Sequence, residues 1–360
     1  MKILIVNAGN ETGGGRAHMV QLIGALNKLE DTQAELLVFE DSAVAQMARE
    51  HHVKTTIIAQ KSQLDTSVVK QYQQFVIDHH FDIVHTHGPR ANVLTRMIYK
   101  KIPATWVVTV HSEPKVDFPK GGLKGKLFYK LNVGALKRAK HLYLITNYFH
   151  DELASYGIKD DEMTPIFNAI NFFEAPVDKT AHETFNILNV ARVTYVKNQA
   201  LLLSALAKVK FDYRVTILGD GPLEADLKAQ AKILGIEDKT DIAGFTENTK
   251  PYYEKADLFV LPSTSEGFPT VLLEAANYEL PAIATNVGSD EVVIPNADIG
   301  WIFKTGDEAG LIKCLNEAYD EYQSGILANR GRSFKTFAAN NFSADHLAKK
   351  MVTLYQAAQD

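Results

Sequence analysis

Short runs of Ile, Val and Leu alternate with segments of helical spacing along the chain. That is the pattern of parallel βαβ units, in which each strand is buried on both faces. The first half predicts strands at Lys2–Val6, Ala34–Phe39, Lys54–Ile58, Ile83–His85, Thr105–Val110 and His141–Ile145, with helices such as Arg16–Leu29 and Ser67–His79 between them. The pattern restarts at Phe185–Val190 and continues through Arg214–Leu218, Thr240–Ala243, Leu258–Leu261, Ala282–Thr285 and Gly300–Phe303. Helices there are expected at Gln199–Lys208, Pro222–Leu234 and Pro269–Asn277. Between the halves, residues 168–183 lose periodicity and carry Pro176. Two successive α/β domains, 1–170 and 171–344, are the economical reading. The last segment, Ser343–Ala358, has Leu347, Met351, Val352 and Leu354 at roughly helical spacing, and periodicity leaves open which domain it joins.

Composition agrees. A chain of 360 residues fits two domains, and 46% hydrophobic with 22% charged residues is globular. No apolar run approaches the roughly 18 residues of a membrane span, and MKILIVNAG reads as a buried strand rather than a secretory signal. A single cysteine, Cys314, excludes a disulfide framework and a thiolate metal site and fits a reducing cytoplasm. The net charge of −5 gives no reason to expect nucleic acid. Its distribution is more informative. Residues 1–170 hold 20 Lys/Arg against 17 Asp/Glu, and residues 171–360 hold 18 against 26. Lys115–Lys140 carries eight basic residues and one acid, Asp117.

Two segments carry candidate chemistry. The first strand runs into Gly13, Gly14 and Gly15 just before a helix. Adjacent glycines there let backbone N–H groups approach a phosphate, or they simply make a tight turn. The spacing is not that of a dinucleotide fingerprint, which removes an NAD-dependent oxidoreductase. The second segment, STSEGFPTVLLEA (263–275), leaves a strand and enters a helix with Pro269 near its first position. Glu266 stands just outside that helix and Glu274 more than a turn inside it, so two carboxylates can reach different ends of one ligand. The helix start adds free N–H groups.

Glu266 and Glu274, separated by seven residues within EGFPTVLLEA, resemble the E-x7-E signature of the family 4 retaining glycosyltransferases. Other segments match that family in order: the glycine loop with His18, DIVHTH (82–87), TVHS (109–112), ARVTYVKN (191–198), the βα unit at 217–236 and AGFTE (243–247). The resemblance implies a GT-B fold, α/β, with two Rossmann-like doubly wound domains facing a deep cleft. The first domain would take the acceptor, with the C-terminal helix, about 345–360, crossing back to it. The second would take the nucleotide sugar. By the same resemblance, Arg192 and Lys197 hold the donor diphosphate, completed by backbone N–H groups of Gly14 or Gly15. Glu274 binds the ribose, Glu266 contacts the donor sugar, and Phe268, Pro269, Thr270 and Val271 form the turn presented to sugar and phosphate. Phe245 stands at the base-contacting position, Gly219 lines the donor site, and His111 lies beside the reacting sugar. Five residues apart across a strand-to-helix turn, an Arg fork and a Lys point charge can converge on one dianion.

The implied activity is transfer of a hexose or N-acetylhexosamine from a nucleotide sugar, with UDP as the expected base. The acceptor would be a saccharide or a lipid-linked acceptor in cell-surface polysaccharide or glycolipid synthesis. No D-x-D occurs, so no divalent metal and no other cofactor is expected, and cations and helix ends would compensate the diphosphate. His85 and His87 alternate at a strand end without a third ligand at metal spacing, which argues against a metal pair. Two rivals share the fold: a sugar-nucleotide 2-epimerase, which would isomerise its substrate with no acceptor present, and a non-catalytic partner subunit, which would have little reason to keep Arg192, Lys197, Glu266 and Glu274 together. The Lys115–Lys140 stretch interleaves lysines with Phe118, Leu123, Leu127, Phe128, Tyr129 and Leu131. It reads either as a solvated helix with a core face or as an element that docks on an anionic membrane surface at the inner face of the cell membrane.

Overall fold

The computed structural model of the chain describes residues 1–11, 14–61, 65–117, 122–174 and 184–360. It divides into two compact units, Met1–Asn171 with Ala344–Asp360, and Phe172–Ser343. The first holds seven strands: β1 (Lys2–Asn7), β2 (Gln33–Val38), β3 (Thr55–Ile57), β4 (Ile83–His87), β5 (Thr105–Val110), β6 (His141–Leu144) and β7 (Met163–Pro165). They pair in parallel in the order β3-β2-β1-β4-β5-β6-β7.

Side-chain alternation divides this sheet between two cores. Leu4 and Val6 of β1 join Leu37, Val84 and Val108 on one face, under the helices Val68–Asp78 and Pro89–Arg96. Ile3 and Ile5 join Leu36, Val38, Ile83 and Val107 on the other, under the helices Gly14–Leu26 and Ala43–Glu50. The C-terminal helix Ala344–Gln359 packs on this second face through Leu347, Ala348, Met351 and Tyr355. Its buried stripe runs through Ala344, Leu347, Ala348, Met351, Tyr355 and Ala358, with Val352 and Leu354 only at the margin.

The second unit holds β8 (Phe185–Val190), β9 (Tyr213–Leu218), β10 (Thr240–Gly244), β11 (Leu258–Leu261), β12 (Ala282–Thr285) and β13 (Trp301–Phe303). All pair in parallel, in the order β10-β9-β8-β11-β12-β13. In each sheet the order reverses beside the first strand, between β1 and β4 and between β8 and β11. Sheets of this kind bind ligands beyond their carboxyl ends at that reversal. The candidate residues follow strand carboxyl ends in both units, those after β1, β8 and β11 at the reversal itself.

Two local expectations need correction. Gly14 and Gly15 belong to the first turn of the helix Gly14–Leu26 rather than to a loop before it, and Gly13 lies outside the described residues. Pro269 precedes its helix, which runs Thr270–Asn277. A strand not expected from the sequence, β7, forms the edge of the first sheet.

Candidate active site

In the second unit, the loops after β8 and β11 meet at the reversal point. Thr264 donates its backbone N–H to the Val196 carbonyl at 2.7 Å, which ties the two loops together. That contact places the Lys197 ammonium 2.6 Å from Glu266 Oε1. The pair is largely enclosed, with the Lys197 side chain 25% and the Glu266 side chain 8% exposed. Arg192, expected to converge with Lys197, instead stands exposed, with no ion pair among the described residues. The free protein thus holds one cation on a carboxylate and leaves the other in solvent.

Glycine makes the close approaches possible. Gly219, at the end of β9, has φ +138°, and a Cβ there would lie 2.1 Å from the Ala191 carbonyl oxygen. Its N–H donates to Gly244 O at 2.8 Å, which joins the ends of β9 and β10. Gly288, with φ +56°, meets the Glu266 carbonyl oxygen in the same way at 2.1 Å. A side chain at either position would both strain the backbone and push the site loops apart.

Glu274 lies one turn into the helix Thr270–Asn277 and accepts the Tyr253 hydroxyl proton on Oε2 at 2.9 Å. Burial pushes its carboxyl above the usual range, and the Tyr253 bond offsets part of that. Tyr253 is itself fully buried and stacked on Tyr278 at 4.9 Å. Thr270 and Val271 open the helix, where N–H groups have no intrahelical acceptor. The Phe268 ring is buried against Phe342 at 5.6 Å, so its side chain serves packing. Phe245, just past β10, is 69% exposed and offers a free aromatic face.

The first unit gathers histidines at its own reversal point. Asn7 Nδ2, at the end of β1, donates to the His87 carbonyl at 2.9 Å and so ties β1 to β4. His87 Nδ1 and His111 Nε2 share a hydrogen bond of 2.8 Å, and the His18 ring stands edge-on to His111 at 5.4 Å. His85 bonds Tyr355 Oη and Thr109 Oγ1, each at 2.7 Å, so the C-terminal helix anchors the cluster. Burial holds His18 down to about 4, and burial with the neighbouring His18 holds His111 down to about 3. His85 and His87 lie well below the ordinary histidine value for the same reason. The rings are therefore neutral near pH 7 and suit hydroxyl groups as N–H donors or lone-pair acceptors. Among the described residues, both nitrogens of His18 and Nε2 of His87 are buried without a hydrogen-bond partner. The Glu11 carboxylate lies against Gly15, 3.2 Å from where a Cβ would stand.

Comparison with known proteins decides the family. The family described as Glycosyltransferase Family 4 matches residues 12–172, and Glycosyl transferases group 1 matches residues 173–332. The chain belongs to the family 4 glycosyltransferases. A Campylobacter jejuni relative, a GalNAc-alpha-(1->4)-GalNAc-alpha-(1->3)-diNAcBac-PP-undecaprenol alpha-1,4-N-acetyl-D-galactosaminyltransferase, is 30% identical over 182 residues. That match spans 48% of this chain and only half the length (50%) of the relative. An Escherichia coli UDP-Gal:alpha-D-GlcNAc-diphosphoundecaprenol alpha-1,3-galactosyltransferase is 25% identical over 76% of this chain and 75% of its own length. Anabaena Alr3699/HepE, solved in complex with UDP, superposes with a TM-score of 0.81 at 18% identity, covering 99% of this chain and all (100%) of that one. The fold of this family 4 chain is GT-B, two α/β units built on parallel sheets.

Sequence reasoning missed three participants in this family 4 chain. Tyr253 lies 21 residues from Glu274 in a separate short helix, Lys250–Lys255, and no local spacing links the two. His87 was weighed only with His85 as a metal pair, and its direct bond to His111 was not anticipated. Asp290 was not singled out, although an acid five residues past a mainly apolar, fully buried strand is a signal that could have found it.

Proposed function

We propose that this protein transfers a hexose or N-acetylhexosamine from UDP to a saccharide or lipid-linked acceptor, with retention of configuration and without a divalent metal. The observation that carries the reading is the enclosed Lys197–Glu266 pair at the β8/β11 reversal, with Glu274 one turn into the adjoining helix. Support for the base comes from the Escherichia coli relative, whose name begins with UDP-Gal, and from HepE, which was solved with UDP. Support for the acceptor comes from the Campylobacter relative, whose substrate is linked to PP-undecaprenol.

In this reading Lys197 moves from Glu266 to the donor diphosphate, joined by Arg192, and Glu266 is released to the donor sugar. The bond from the anomeric carbon to the phosphate oxygen breaks, and its electron pair leaves with the diphosphate. The two cations and the first N–H groups of the helix Thr270–Asn277 stabilise that charge. The acceptor oxygen attacks the same face, and its proton passes to the departing phosphate oxygen. His111, neutral, hydrogen-bonds the reacting sugar rather than holding charge.

Glu274 would accept both ribose hydroxyls in charge-assisted bonds. Glu274→Gln is expected to raise the donor KM about tenfold or more, since bonds to a charged group are worth roughly 1.5–3 kcal/mol each. Tyr253 can still donate to the amide oxygen, so the fold should hold. Unchanged UDP affinity in this variant would take Glu274 out of the site.

The acceptor side is proposed to work at an anionic membrane. The helix Gly122–Leu136 exposes Lys126, Lys130 and Leu127, the last 53% exposed, and Lys137, Arg138 and Lys140 follow on the surface. Phe118 and Lys120 lie outside the described residues, as do the side chains of Leu123 and Lys124. Among the described residues, no helix is long and apolar enough to cross a membrane. Each lysine near an anionic surface contributes about 1 kcal/mol, fading within roughly 8 Å at physiological salt. Sedimentation with vesicles containing anionic lipid should therefore capture the protein at low salt and release it at high salt. Lys126→Glu with Lys130→Glu should release it at both. Equal binding to neutral and anionic vesicles would contradict electrostatic docking.

A further inference from the structure

Asp290 lies within electrostatic reach of both Lys197 and Glu266 and has no use in the reading above. Its side chain is fully buried, and among the described residues neither carboxyl oxygen has a hydrogen-bond partner. The segment that carries it is pressed onto the site. Ser289 donates its N–H to Gly267 O at 3.1 Å, and Gly288 touches the Glu266 backbone with no room for a side chain. The charges that act on Asp290 are Glu266, Lys197 and Glu291. One ammonium thus acts on two carboxyls, and it is bonded to Glu266 alone. Ionising both carboxyls would leave a net negative charge out of water, which is costly. Burial first, then Glu266, push the Asp290 carboxyl up to about 9, against a smaller opposing pull from Lys197, so it carries its proton at neutral pH.

A neutral acid in this position has an O–H to give and no acceptor taking it in the free protein. Glu266 is held by Lys197. We propose that Asp290 is a positioning residue for Glu266: when Lys197 moves to the donor diphosphate, Asp290 donates its O–H to the Glu266 carboxylate and keeps that carboxylate oriented toward the donor sugar. The buried acid replaces the departing cation with a hydrogen bond, so Glu266 is never left buried and unpartnered as the donor is seated. This rests on the donor-site reading of Lys197 and Glu266.

Carbon-13 NMR of aspartate-labelled protein tests it, with the Asp290 resonance assigned by its loss in Asp290→Asn. UDP is the probe. In the free protein the resonance should titrate near pH 9. Saturating UDP should raise that value further, because Lys197, which lowers it, moves away and the protonated form gains an acceptor. Glu266→Gln should lower it by removing the adjacent negative charge. In hydrolysis of UDP-glucose and UDP-N-acetylglucosamine, Asp290→Ala should lose about tenfold or more in kcat with UDP affinity held within about threefold, and Asp290→Asn should recover most of the loss by keeping a donor. An Asp290 that titrates in the ordinary carboxylate range, or that is unmoved while calorimetry shows UDP bound, overturns the proposal. So does an equal loss of UDP affinity and turnover in both variants, which marks a merely structural residue. Failure of UDP, GDP and ADP alike to bind removes the donor-site reading itself, and this proposal with it.

Discussion

Lys197→Ala is expected to lower kcat by about 10²–10³-fold, the usual effect of removing one preorganised group from a developing oxyanion. The argument begins in the free protein, where Lys197 is 2.6 Å from Glu266 and the pair is mostly enclosed. An ammonium already stripped of much of its water needs little further desolvation when a diphosphate replaces the carboxylate. Arg192, exposed and with no ion pair among the described residues, must instead be recruited from solvent. Lys197 should therefore be the more damaging of the two cations to lose. The same substitution leaves Glu266, 8% exposed, without its cation and dependent on the hydrogen bond proposed from Asp290. It should destabilise the fold by no more than about 3 kcal/mol, the low end for breaking a buried pair, because water reaches the vacated space. Steady-state kinetics beside a melting curve separates the two effects. Unaltered turnover in a folded Lys197→Ala protein would exclude Lys197 from the chemistry.

The second large effect is on stability and follows from Asp290. Its carboxyl is held near 9 in the folded chain, against about 4 when unfolded. Between those values the unfolded chain releases a proton that the folded chain keeps, so the stability this one group contributes is fully present below about pH 4 and is lost as pH rises toward 9. The limiting slope is about 1.4 kcal/mol per pH unit, ending near pH 9. Asp290→Asn removes that proton linkage. Its Tm should exceed the parent's at neutral pH, with a gap that widens toward pH 9 and then levels. Parallel pH dependences for the two proteins would show that Asp290 ionises normally. A residue that costs stability where catalysis needs it is the usual trade at an active site.

The central strands were readable because parallel strands covered on both faces are mostly apolar. β1, β11 and β12 are buried at nearly every position and carry such runs, while β4 begins with Ile83 and Val84 and ends in the buried polar residues His85, Thr86 and His87. The edge strand β7 was not readable. It is three residues long, has one buried position and ends at Pro165, so it carries neither an apolar run nor alternation. Site residues followed the same division. Glu266 and Glu274 share one strand-to-helix segment and could be seen as a pair, while Lys197 and Glu266 are 69 residues apart and meet only because β8 and β11 are neighbours across the reversal. The Tyr253 hydroxyl bonded to Glu274 and the Asp290 carboxyl that feels Glu266 come from loops and helices whose placement is set by sheet order. Spacing within a sequence does not encode such contacts. The histidine cluster was half legible: alternation along β4 put His85 and His87 on one face, but their partners Tyr355 and His111 belong to distant segments.

The central claim is that the second unit carries a metal-independent nucleoside diphosphate site at Lys197, Glu266 and Glu274. It is tested most directly by thermal melting with UDP, GDP and ADP in the presence of EDTA. A ligand at 100 times its Kd adds about 2.7 kcal/mol to the state that binds it. UDP should raise the Tm in EDTA, with a smaller rise in Glu274→Gln and a smaller one again in Lys197→Ala. A Tm unmoved by all three nucleotides, or moved only when a divalent cation is restored, would contradict the account.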